Sequence, residues 1–380
     1  MEKKRFYNID FLRFIASIII VLFHIFICEI IHIKELGDFT AQYMPYVING
    51  RYWVDFFFIT AGFFLFYSKK NNDFINFVKI KLIRLLPVIW FAVIVYMILS
   101  WFDLLNYKKY INVYTMLLIN NIGLTTKNSM GNIHPVWFVS SLFWASLFYY
   151  YLKSLLSKKW FNFITIHLVL IFYVYIVNAT VSPAKIFENF ICIGYIRALA
   201  GLGLGYFLYL AYQKFQNFKF GILQRLFITF MEIYLLVFAV RNTVFHNISF
   251  KNISIFILTF AGMILLFTIK KGYLSTILNN KFLGYLGKYS YSIFVMHIII
   301  LDLIKKNLWV KNIDLFLTYP FLNIAIIILM CILAGILTYH LVEEPALKYL
   351  TNKFCKKPKT LVRVREYTPP LINIKHLRIA

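Results

Sequence analysis

The sequence predicts an all-α, polytopic membrane protein with about ten transmembrane helices and both termini in the cytoplasm. Three observations carry that prediction. Of the 380 residues, 61% are hydrophobic and 14% charged, whereas a soluble domain is nearer half apolar and a quarter charged. Apolar runs long enough to cross a ~30 Å hydrocarbon core recur along the whole chain. Lys and Arg crowd alternate connecting segments, as the positive-inside rule requires.

The apolar runs place helices near residues 11–31, 52–67, 85–102, 136–152, 160–178, 190–212, 226–241, 253–269, 290–304 and 316–341. The first, FLRFIASIIIVLFHIFICEII, is too long for a signal-peptide core and has no small-residue cleavage site after it, so it is expected to stay as the first helix. Between the second and third, NNDFINFVKIKLIRLL mixes apolar positions with Lys79, Lys81 and Arg84 and is expected to lie along the inner surface as an amphipathic helix. The seventh run stops at Arg241 and the ninth is short; losing either would move the C-terminus across the membrane. With the N-terminus inside, the cytoplasmic segments hold about two thirds of the 40 Lys and Arg, which makes ten crossings self-consistent.

The domains read as a transmembrane unit over residues 1–350 and a basic cytoplasmic tail over 351–380. The formal charge of +25 belongs to inner loops that meet anionic lipid, and no nucleic-acid partner is expected. Cys28, Cys192, Cys331 and Cys355 contain no C-x-x-C pair, so no metal ligation or disulfide framework is expected. No internal repeat of the kind that builds many transporters is visible.

An ionisable group inside a bilayer is a functional candidate until a structural partner is found for it. Arg13 and His24 stand eleven residues apart, about 20° apart around a helix and about 16 Å apart along it. They share one face, which Ser17 and Cys28 extend, and Asp10 is spaced to pair with Arg13. Two readings stand. Either the pair works on a substrate, or Arg13 snorkels to the interface and His24 bonds a neighbouring helix.

Five stretches now resemble, in order, those of the acyltransferase 3 family, bacterial membrane proteins that O-acylate surface polysaccharides and other glycans. NIDFLRFIASIIIVLFH is similar to the family's first helix, with its Arg and His separated by ten residues. WVDFFFITAGFFL resembles the second-helix pattern, KIKLIRLLPVIW the basic K-x-x-R segment, GKYSYSIFVMH the late Ser-Tyr to His element, and HLVEEP the closing acidic-proline signature. Thr60, Ala61 and Gly62 stand where Ser-Gly is usual. HPVWFVSSLFWASLFYY lacks the Glu that many members carry after the Trp and is closer to the W-F-L type, so no role for that Glu is carried over. No appended hydrolase-like extracytoplasmic domain is expected.

The resemblance implies an enzyme of the bacterial cytoplasmic membrane, an O-acyltransferase and most simply an O-acetyltransferase. It would use acetyl-CoA as donor, a cell-surface glycan or its lipid-linked precursor as acceptor, and no permanently bound cofactor. Such transfer needs a base for the hydroxyl proton and positive groups for the donor's oxygen and phosphates. His24 suits the base; Arg13, Lys81 and Arg84 suit the phosphates. Lys79 reads as topology alone. Asp55 falls at a depth within roughly 6 Å of His24; it either orients the imidazole, as a triad carboxylate does, or pairs with Arg51 at i−4. His297 lies on one face with Ser290, with catalysis and structural bonding both open. Trp137 and Ser141, one turn apart, face substrate or pack, and His134 and Pro135 shape the outer mouth. Arg197, beside AGLGLG, lines a polar cavity where helices approach closely; His167 and His340 read as structural. The competing function is a glycan exporter, which would move substrate without consuming a thioester; a purely structural membrane protein leaves the Arg13 and His24 stripe unexplained.

Overall fold

The computed structural model describes residues 5–30, 42–68, 73–105, 112–120, 133–178, 187–188, 191–244, 253–306 and 318–355. Within the described residues each predicted apolar segment contains a helix: α1 (Tyr7–His24), α2 (Trp53–Tyr67), α3 (Phe74–Trp101), α4 (Val136–Leu155), α5 (Lys158–Asn178), α6 (Ile193–Phe215), α7 (Ile222–Val244), α8 (Ile253–Ile269), α9 (Ser290–Ile304) and α10 (Pro320–Thr338). Among the described residues, the spans Tyr7–Ile27, Phe74–Trp101, Lys158–Asn178, Ile193–Phe215, Ile222–Val244 and Pro320–Phe354 are long and apolar enough to cross a membrane. The expected ten crossings thus become ten helices of which six meet that mark. At 15 to 17 residues, α2, α8 and α9 reach only about 22 to 26 Å, and α4 dilutes its apolar run with Ser and Tyr. Among the described residues, strand structure is confined to β1 (Phe187–Glu188) paired antiparallel with β2 (Ile191–Cys192). The tail from residue 356 lies outside the described residues.

Polarity is arranged for lipid. Large apolar side chains such as Leu223, Phe227 and Phe230 of α7 face outward, while Asp55, Arg197, Glu232 and His297 are buried, the arrangement that keeps ionisable groups on protein partners rather than in hydrocarbon.

The interior is dense in rings. Trp53, Phe56 and Phe260 pack at centroid distances of 5.0 to 6.1 Å, in the offset and edge contacts that ring quadrupoles favour. Helices α2 and α6 touch at backbone distance: a Cβ on Gly62 would strike the Leu202 main chain, and one on Gly205 the Ile59 carbonyl. The AGLGLG run is therefore an interface of small residues.

The basic segment before the third apolar run does not form a separate surface helix. Lys79, Lys81 and Arg84 ride on the first turns of α3, a continuous 28-residue helix whose start Asp73 caps by accepting the Asn76 N–H at 3.1 Å. No breaker precedes Pro87, and the single backbone bond that Pro87 removes is tolerated inside a packed bundle.

Two short helices, Tyr273–Ile277 and Lys281–Leu286, cradle the start of α1. Asn8 Nδ2 donates to the carbonyls of Phe267 and Ser275 at 2.7 and 3.0 Å, and Asn279 Oδ1 accepts the Tyr7 N–H at 3.0 Å. Gly284 and Gly287 admit Tyr7 and Asp10 where a Cβ would collide. This clamp fixes the helix that carries Arg13 and His24.

Candidate active site

His24 is the last residue of α1, and the chain then widens into a π turn over Ile25–Ile30, a distortion frequent at functional sites. Its Nδ1 lies 2.9 Å from the Ile20 carbonyl and 3.3 Å from Nε2 of His297. Nδ1 of His297 is in turn 2.7 Å from the Phe294 carbonyl. Carbonyl oxygens only accept, so each Nδ1 carries the proton of its neutral ring. His24 Nδ1–H is then shared between Ile20 O and the lone pair of His297 Nε2. Nε2 of His24 keeps its lone pair, the atom a general base uses.

His297 is fully buried, whereas His24 retains partial exposure. His134, exposed at the entry to α4, is close enough to act electrostatically on His24. Three histidines thus converge from α1, α9 and the approach to α4. Among the described residues, no group of three His, Cys, Asp or Glu is arranged to hold a metal ion.

The basic residues form the other end of the site. Arg13, with 22% of its side chain exposed, lies 3.6 Å from Asp10, which also holds Arg5 at 2.7 Å. The charges of Arg84 and Glu343 both act on Arg13. Arg84 is exposed, and Lys81 donates to Ser146 Oγ at 3.3 Å while lying over the Phe77 ring. Arg13 of α1 and Arg84 of α3 are close enough to act on each other electrostatically and form a cationic cluster roughly 16 Å along α1 from His24, with Lys81 on its α4 side.

Asp55 departs from both sequence readings. Its carboxylate takes Arg197 Nη2 at 2.7 Å and Nε at 3.3 Å, and both side chains are almost wholly buried. Arg197 also lies over the Trp137 ring at 5.8 Å. A two-point fork of this kind is stronger than a single contact between neighbours at i, i+4, and among the described residues the groups bonded to His24 are Ile20 and His297. Asp55 therefore belongs to a structural tie between α2 and α6, and the expected cavity-lining Arg197 is its other half. Trp137 is half-buried against Phe58 and Phe138, and Ser141 is fully buried. Ser17 satisfies itself on the Phe14 carbonyl at 2.7 Å and Ser290 on that of Gly287 at 2.9 Å; the Cys28 side chain lies outside the described residues. His167 bonds the Phe163 carbonyl, and His340 meets Tyr289 and Glu344.

One site residue had no assigned role in the sequence reading. Glu343 closes a second π turn, Tyr339–Glu343, and is buried with its Oε2 accepting Ser292 Oγ–H at 2.6 Å. Arg13 and Arg84 are the cations that act on it. The signal was present in HLVEEP: two carboxylates directly after a long apolar run.

Residues 6–340 match the family described as an acyltransferase domain. Comparison with the curated proteins and with the solved structures gives no match.

Proposed function

The chain belongs to the acyltransferase 3 family, and from that premise we propose that it is an O-acetyltransferase that moves an acetyl group from acetyl-CoA to a hydroxyl of a cell-surface glycan or its lipid-linked precursor, within the bacterial cytoplasmic membrane. The observation that carries the proposal is His24: a partly exposed imidazole whose Nδ1–H is committed to Ile20 and His297, leaving Nε2 as a base.

In this reading the donor's phosphates rest on Arg13 and Arg84, with Lys81 beside them, at the cytoplasmic end. The extended pantetheine arm crosses the separation to His24 and presents the thioester there. Nε2 of His24 takes the proton of the acceptor hydroxyl as its oxygen forms a bond to the thioester carbon. The tetrahedral oxyanion collapses, the C–S bond breaks, and the sulfur leaves with the proton returned by the imidazolium, giving an ester and free coenzyme A thiol. His297 orients the base and faces its Nδ1–H throughout. Trp137, at the start of α4, lines the acceptor side together with His134, where a ring face suits a sugar, while Ser141, fully buried one turn further on, packs behind it. Asp55 supports this wall through Arg197.

The test measures free thiol from membranes holding the protein, supplied with acetyl-CoA and acceptor glycan, alongside His24→Ala membranes. Thiol release dependent on the acceptor and lost in the variant supports the proposal. Equal release by both removes His24 from the chemistry. A surface glycan of the same mass in cells with the wild-type protein and in cells lacking it removes the acetyl transfer itself.

A further inference from the structure

Two arginines close to one another repel, most strongly where little water screens them. Here a buried carboxylate lies beside them. Glu343, 6% exposed, comes from the π turn after α10 and is within electrostatic range of Arg13 of α1 and Arg84 of α3. One carboxylate oxygen is tethered to Ser292 Oγ at 2.6 Å. The neighbouring Tyr291 donates to the Leu85 carbonyl at 2.7 Å and so pins the start of α9 to α3 next to Arg84. Among the described residues, the ion pair of Arg13 runs to Asp10 and not to Glu343. The carboxylate is thus within electrostatic range of both arginines while one of its oxygens is held by a serine.

We propose that Glu343 is the resident counter-ion of the donor pocket: it offsets the Arg13 and Arg84 charges while the pocket is empty, Ser292 keeps it from occupying them, and it thereby sets how tightly an anionic donor is held. This rests on the reading of that pocket as the site for the donor's phosphates. A phosphate arriving at the arginines meets the field of Glu343 as a repulsion, so the acid lowers donor affinity and favours release of the product coenzyme, which carries the same phosphates. It is a positioning residue and touches no reacting atom.

The two substitutions at this contact have opposite expected signs. Glu343→Gln removes the charge and keeps a partner for Ser292, so binding tightens. Ser292→Ala frees the carboxylate to swing onto the arginines, so binding weakens. A purely structural contact would weaken binding in both.

The experiment titrates adenosine 3′,5′-bisphosphate, the nucleotide end of coenzyme A, into the detergent-purified full chain. Wild-type binding that Arg84→Ala weakens supports the pocket. Glu343→Gln is expected to bind roughly threefold to tenfold tighter, a gain that shrinks as salt is raised. Ser292→Ala is expected to bind more weakly by a similar factor. Wild-type binding with Glu343→Gln equal or weaker overturns the counter-ion role and leaves the pocket standing. Should Glu343→Gln not fold, unchanged or tighter binding by Ser292→Ala overturns it alone. No binding by wild type, or none lost in Arg84→Ala, overturns both.

Discussion

Nε2 of His297 stands 3.3 Å from Nδ1 of His24 across 273 residues of chain. The Ile20 carbonyl is the second group on the same nitrogen, so among the described residues the base candidate has two orienting contacts, one from its own helix and one from α9.

That redundancy ranks two variants. His24→Ala is expected to lower kcat by about a thousandfold, the scale of a positioned general base. His297→Ala leaves Ile20 in place, and a loss of about ten- to a hundredfold is expected, the scale of a base slightly misaligned. Initial rates of thiol release measure both. Losses of equal size would mean that His297 acts on substrate directly.

The Asp55 and Arg197 fork predicts a stability effect rather than a chemical one. Removing one member of a buried pair strands the other charge, at about 3 to 5 kcal/mol. Asp55→Ala should therefore lower the melting temperature of the purified protein sharply, and Asp55→Leu combined with Arg197→Leu should recover much of it. An Asp55→Ala protein with an unchanged melting temperature and no activity would restore the carboxylate to the catalytic role the sequence had offered it.

At the basic end, Arg13→Ala and Arg84→Ala are each expected to raise the KM for acetyl-CoA about tenfold, since charge-assisted contacts to phosphate contribute about 1.5 kcal/mol or more. Lys81→Ala should do less, because its ammonium is already engaged by Ser146 and Phe77. Lys79 is exposed on another side of α3, and Lys79→Ala should leave KM unchanged. A uniform response of all four would point to bulk membrane charge in place of a pocket.

Helices were legible in the sequence because the length and polarity of an apolar run are local quantities, and the face shared by Arg13 and His24 follows from helical period alone. Partners were not. The Asp55 to Arg197 and His24 to His297 contacts join positions 142 and 273 apart, and a single helix wheel says nothing about which helix faces it. Glu343 was hidden by a different cause. The π turn at Tyr339–Glu343 shifts the helical phase by about a residue, so continuing the wheel from α10 does not tell which of Glu343 and Glu344 turns inward. The continuity of α3 escaped for a related reason: its amphipathic start and its apolar body have different polarity, although nothing in the backbone separates them.

The α2 and α6 contact gives the last test, and it separates packing from chemistry. Gly62 and Gly205 meet facing main chain rather than flexible side-chain ends, so an added methyl has no atom that can yield cheaply. Gly62→Ala and Gly205→Ala are each expected to cost about 1 to 3 kcal/mol, the range for overfilling a close-packed interface. Gly221, where an added Cβ would meet no atom within 4 Å, is the control, and Gly221→Ala should stay within about 0.5 kcal/mol. Because Asp55 lies on α2 and Arg197 on α6, forcing the helices apart also lengthens their fork and tilts Trp137, which Arg197 overlies. Thermal unfolding of the three variants, read beside acceptor KM, checks this: lower stability together with a raised acceptor KM in Gly62→Ala ties the interface to the wall of the site, and lower stability with KM unchanged confines it to the scaffold.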